Sequence, residues 1–270
     1  MRKLKVFSVL LLLISSVAFA GYKIYENGLA DNEAPVITCS EDNIQVSVAD
    51  TEEKLLEGVT AEDQRDGDIT DKIVVQSIAE FSEDNKREIT YAVADEAGNV
   101  GYGKRTLEYT DYSEPRFNLE QPLLYPLGST FNVADGVSAS GALDGDLTSK
   151  IKYTLDKSIA TTTAGSYNVE FRVSDSAGRT SYLQTVLEVY DPSDYRIEVN
   201  LSQYLVYIGV NEGFDPNAYY AGTDIETDTE EVTLSINSTV NTAQPGCYYV
   251  DYNVTTERSA GKSRLVVVVV

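Results

Sequence analysis

Apolar residues fall at every second position in a series of short segments: Ile89, Tyr91 and Val93; Val169, Phe171 and Val173; Val250, Tyr252 and Val254. A period of two belongs to a strand with one buried face. After a turn carrying Ala-Gly, each segment is followed by another strand-forming run: "YGKRTLEYT" (102–110), "YLQTVLEVY" (182–190) and "SRLVVVVV" (263–270). Helical periodicity is missing after residue 25. Short strands punctuated by turn residues at this spacing predict all-β sandwiches of about eighty residues each.

The segments are copies of one another. "REITYAVADEAGN" (87–99) aligns with "YNVEFRVSDSAGR" (167–179), which sets Asp95 on Asp175 and Ala97-Gly98 on Ala177-Gly178. Upstream, "LLEGVTAED" (55–63) parallels "VADGVSASG" (133–141), and "DQRDGDITDKI" (63–73) returns as "ALDGDLTSKI" (142–151). In the third copy, "GCYYVDYNVTTERSAGK" (246–262), Thr256 stands where Asp was and Asp-Gly-Asp is missing. Self-similarity at a constant period marks a repeat protein. The expected domains are 34–110, 111–191 and a divergent 194–270. The connectors "TDYSEP" (110–115) and "YDPSDY" (190–195) are short with one Pro each, which predicts semi-rigid junctions and an extended rod.

Residues 1–30 read differently. A basic "MRKLK" precedes fifteen residues without charge, and Ala18-Phe19-Ala20 fits a signal-peptidase site. Two readings stay open: a removed signal peptide, or a signal anchor held in the membrane through residues 6–22. Both place the remainder outside the cytoplasm.

Composition narrows the chemistry. The 270 residues carry a formal net charge of −22, 19 Tyr, two Cys and neither His nor Trp. Without His there is no Ser-His or Cys-His nucleophile and no imidazole ligand. The acidic balance argues against nucleic acid and suits hard, oxygen-seeking cations. Cys39 and Cys247 are expected as small core-edge residues, because an extended chain of domains would keep them too far apart to bridge. No enzymatic activity is expected.

"PVIT" (35–38), "GVTAEDQRDGDITDKI" (58–73) and "YAVADEAGN" (91–99) resemble the bacterial immunoglobulin-like domain of unknown function found in tandem on surface proteins, and also near the end of some pesticidal crystal toxins. The resemblance covers copies one and two; copy three keeps the closing strands. It implies an Ig-like sandwich used outside the cell, and no shared catalytic activity.

Two readings of the Asp-Gly-Asp loop stay open. As a turn, Gly67 and Gly145 supply a left-handed backbone while Asp side chains and Thr70 or Thr148 cap neighbouring N–H groups. As a Ca²⁺ site, Asp63, Asp66 and Asp68 on the B–C loop would meet Asp95 on the F–G loop. In copy two, Asp144, Asp146 and Asp175 would meet Asp111 and Glu114 from the entering linker. The spacing is not that of an EF-hand. The paired Tyr219-Tyr220 and Tyr248-Tyr249 of copy three are the expected ligand-facing aromatics, one ring of each pair turned to the core and one to solvent. The function expected is adhesion, interaction or spacing at the bacterial cell surface, with a surface protein or glycan as partner. The alternative is a carbohydrate-binding array using exposed Tyr in copy three. Any cofactor would be Ca²⁺.

Overall fold

The computed structural model describes residues 12–23, 25, 31–193, 196–225 and 231–270. It is all-β apart from a helix over residues 12–23, one short helix and three single 3₁₀ turns among the described residues. The remainder of the 1–30 segment, apart from residue 25, lies outside the described residues. No helix among those described is long and apolar enough to cross a membrane. The chain divides into two compact units, residues 1–110 and 111–270.

In the first unit, β1 (Val36–Cys39), β3 (Val59–Asp63) and β4 (Gly67–Asp68) form one sheet. β2 (Asn43–Val46), β7 (Val100–Tyr109), β6 (Arg87–Ala94) and β5 (Val74–Ile78) form the other, with β2 parallel to β7. The alternation in β6 sets Ile89, Tyr91 and Val93 inward against Val59 and Ala61. Arg105 is buried among them, and all three of its donor nitrogens are satisfied. Nε reaches the Tyr91 hydroxyl at 2.6 Å, Nη1 the Glu57 carbonyl at 2.9 Å and Nη2 the Leu55 carbonyl at 2.6 Å. A buried guanidinium is tolerable only when partnered in this way.

The second unit repeats the plan twice. Copy two pairs β8 (Arg116–Leu119), β10 (Val137–Gly141) and β11 (Gly145–Asp146) in one sheet. It pairs β12 (Lys152–Leu155), β13 (Gly165–Ser174), β14 (Thr180–Tyr190) and β9 (Leu124–Pro126) in the other. Copy three has β15 (Val199–Leu201) with β17 (Tyr220–Thr223). Its second sheet orders β16 (Leu205–Ile208), β20 (Ala260–Val269), β19 (Gly246–Thr255) and β18 (Thr233–Ser238). The same register position holds Tyr91 in copy one, Phe171 in copy two and Tyr252 in copy three, each fully buried.

Copies two and three are joined by more than a connector. Leu205 and Val266 belong to the core cluster of copy two, whereas Leu265, Val267 and Val269 belong to that of copy three. The strand "LVVVV" (265–269) therefore has two apolar faces because both are covered, which is the rule for continuous aliphatic runs. Lys262 and Glu188 form an ion pair across the same contact.

Candidate functional site

The repeated Asp-Gly-Asp-x-Thr motif assigns one task to each residue. Gly67 and Gly145 take φ values of +73° and +67°, the left-handed region that Gly reaches without a Cβ penalty. The second Asp caps a 3₁₀ turn: Asp68 Oδ1 accepts from Thr70 N at 3.0 Å, and Asp146 Oδ1 from Thr148 N at 2.9 Å. The Thr hydroxyl turns back to the preceding strand and accepts from Ala61 N in copy one and Ala139 N in copy two. The first Asp crosses to the F–G turn. Asp66 Oδ2 accepts from Glu96 N at 2.7 Å, and Asp144 Oδ2 from Ser176 N at 2.8 Å. Hydrogen bonds from Thr70 and Thr148 hold Asp68 and Asp146 below the ordinary carboxylate range.

Asp95 and Asp175 organise the F–G turns. Asp95 accepts from the backbone and side chain of Asn99, both at 2.7 Å. Burial pushes Asp95 up, but the Asn99 and Gly98 donors outweigh it and leave the carboxyl below its usual value. Asp175 accepts from Ala177 N at 2.9 Å and Arg179 N at 2.8 Å.

Five of the seven expected acids, Asp66, Asp68, Asp144, Asp146 and Asp175, are thus taken up by local hydrogen bonds and lie outside the converging set. A different set converges. A carboxylate oxygen from each of Asp31, Asp63 and Asp95 lies within 4.8 Å of the other two. Asp63 and Asp95 are buried, and Asp31 is nearly so. Asp63 Oδ1 accepts from Asp66 N at 2.9 Å and Arg65 N at 2.8 Å, and these donors hold it low. Its Oδ2 is buried without a hydrogen-bond partner. Asp31 was missed because it precedes β1 and the expected start of copy one at residue 34. The signal was its counterpart Asp111 in copy two, which likewise stands four residues before the Pro that precedes the first strand.

Copy two builds the same corner without that cluster. Gly141 stands where copy one has Asp63, and Tyr112 from the entering segment donates its hydroxyl to Asp175 Oδ2 at 2.7 Å. Burial, then that carboxylate, pushes the Tyr112 phenol well up.

The four Tyr of copy three are half-buried rather than exposed. Tyr219, Tyr220 and Tyr248 pack on the core of copy three, and Tyr219 stacks on Phe214 with ring centroids 5.6 Å apart. Tyr249 packs instead on the core of copy two, with the Arg264 guanidinium 5.2 Å from its ring centre. The face of Tyr248-Tyr249 expected to meet solvent meets a neighbouring domain. Exposed aromatics lie elsewhere; among them are Tyr102 and Tyr182, at matching positions of copies one and two, each 58% exposed.

Two packed sheets with turn-borne acids at one end define an immunoglobulin-like β-sandwich repeat protein. Residues 116–189, the body of copy two, match the family described as bacterial surface protein, Ig-like domain. The chain is 28% identical over 265 residues to the pesticidal crystal protein Cry22Aa of Bacillus thuringiensis. That alignment takes in 90% of this chain but only 34% of the crystal protein's length. Among solved structures, Drosophila N-cadherin EC1–4 is 11% identical, with 87% of this chain and 74% of that one covered and a TM-score of 0.27. CBM51-2 with the INT domains of Clostridium perfringens ZmpB is 15% identical, with 87% and 41% covered and a TM-score of 0.23. Scores this low carry no functional meaning for this chain.

Proposed function

We propose that this is a non-enzymatic, extracytoplasmic repeat protein that serves in adhesion or as a spacer at the bacterial cell surface. The observation that carries the reading is the joining of copies two and three. A domain of surface-protein type, 116–189, is packed through Leu205, Val266 and Tyr249 onto its neighbour, so a pull or a partner on one is borne by both. The apolar segment 6–20 supports export. Protease treatment of intact producing cells tests it. The chain should be cleaved from the outside and recovered in envelope or medium fractions; recovery from the cytoplasm alone overturns the reading. The purified chain should turn over no glycan, peptide or ester substrate.

Glycan binding is favoured by one observation, on copy two rather than copy three. Lys150, Lys152, Arg172 and exposed Tyr182 line an open groove of about 430 Å³. Three cations beside an exposed ring, on a chain of charge −22, suit an anionic polysaccharide. Retention on such a polysaccharide should be lost in Tyr182→Ala and Arg172→Ala and kept in Tyr219→Ala. Equal retention by all three removes the groove from consideration.

A further inference from the structure

We propose that Asp31, Asp63 and Asp95 form a Ca²⁺ site that pins the segment entering copy one, and that copy two replaces this ion with the hydroxyl of Tyr112. Three observations carry the argument. The three carboxylate oxygens lie within 4.8 Å of one another, and one Ca²⁺ with Ca–O distances of about 2.3–2.6 Å bridges oxygens up to about 5 Å apart. Asp63 is more than nine-tenths buried and its Oδ2 has no donor, a state that costs free energy unless a cation or proton meets it. Both neighbouring elements already orient the acids. Asp63 Oδ1 is held by two backbone N–H groups, Asp95 by Asn99, and the Asn99 amide also donates to the Asp31 carbonyl at 3.3 Å.

The repeat supplies an internal comparison. In copy two the cluster loses one acid, Gly141 standing where copy one has Asp63, while Asp111 stands at the position of Asp31 and Tyr112 beside it donates a neutral O–H to the remaining carboxylate. A donor to Asp175 does in copy two what a cation would do for Asp95 in copy one. Arg65 is the competing partner in copy one, with Nε 3.6 Å from Asp31 Oδ2. That distance is long for a charge-assisted bond, and Arg65 is half exposed. An all-carboxylate set with room for waters suits Ca²⁺, whereas Mg²⁺ demands a tighter octahedron and keeps most of its water.

The test is calorimetric titration of the metal-stripped full chain with CaCl₂, paired with melting in Ca²⁺ and in chelator. One Ca²⁺ per chain should bind, with Kd of about 10⁻⁴–10⁻³ M as in other extracellular modules. Asp63→Asn and Asp31→Asn should each weaken binding by at least about tenfold, since ligand charge sets affinity. Asp144→Asn in copy two should leave Kd unchanged. Should Asp63→Asn fail to fold, Asp31→Asn decides, since Asp31 lies ahead of β1. Either of two results overturns the proposal: no saturable binding up to about 10 mM, which leaves Arg65 as the partner, or binding that persists unchanged in both variants, which makes it diffuse attraction to an acidic surface. Neither result bears on surface location.

Discussion

The backbone N–H of Phe117 donates to the phenol oxygen of Tyr207 at 3.0 Å, which ties β8 of copy two to β16 of copy three. Phe117 itself is core, and the Arg116 guanidinium sits 5.0 Å from the centre of the Tyr207 ring. Burial raises the Tyr207 phenol, so it stays neutral and available as an acceptor. Tyr207→Phe keeps the ring and removes only the oxygen. The Phe117 N–H then has no partner in a covered place, and stability should fall by about 1–3 kcal/mol. Urea denaturation reads the loss; an unchanged midpoint would mean that water replaces the oxygen freely.

Two-sided burial of β20 makes a paired prediction. Val266 faces copy two and Val267 faces the core of copy three. Val266→Ala and Val267→Ala should each cost about 1–3 kcal/mol, from lost burial plus the cavity left behind. A strand with one solvent face would show the loss at only one of the two. If Val266→Ala is neutral in thermal melts, the contact between copies two and three contributes nothing to stability.

The repeated motif should behave as a set of turn bonds. Asp146→Ala removes the cap on Thr148 N and should cost roughly 1 kcal/mol, by analogy with helix caps. Gly145→Ala should cost about 1 kcal/mol, because its φ is positive although a Cβ would meet no atom. Losses several times larger in melting experiments would show that the loop carries more than turn geometry.

Stability should be limited by ionisation at both ends of the pH scale. Burial pushes Tyr249 and Tyr252 up to about 12 and Cys247 up to about 11. In the unfolded chain these groups ionise near about 10 and 8.5. Their contribution is complete below the unfolded values and is lost as pH rises through the folded ones, so melting temperature should fall between about pH 9 and 12. Asp63, Asp95 and Asp144 shift the opposite way, held low by N–H donors. Their contribution is present above about pH 4 and disappears as pH falls further. Tyr252→Phe should flatten the alkaline limb; a limb unchanged in that variant would assign the loss to other groups.

The strands were legible because a sheet with one buried face writes itself as alternation. Ile89, Tyr91 and Val93 are buried, as their spacing requires. The turns were legible for a similar reason: Gly67 and Gly145, with the Asp on either side, meet local demands within a few residues. The copies in register also showed that Asp95 and Asp175 open equivalent turns. The cover over Tyr249 was not legible. A period of two says that Tyr248 and Tyr249 face opposite ways, but not that the second face is covered by another domain. The run "VVVVV" (266–270) carried the hint, since continuous aliphatic residues need cover on both faces.

Sequence alone determined the all-β class, the repeat and the turn chemistry, because each depends on neighbours along the chain. Tertiary structure decided which acids meet and which aromatics are covered. Asp31 and Asp95 are far apart in sequence, and only the closing of the sandwich brings them to one corner with Asp63. Whether that corner gathers three carboxylates or a Tyr hydroxyl rests on single residues, Asp63 against Gly141 and Asn32 against Tyr112. Their meaning appears only once the loops and the entering segment are packed together, since charge repulsion and the desolvation of a carboxylate act through space and not along the chain.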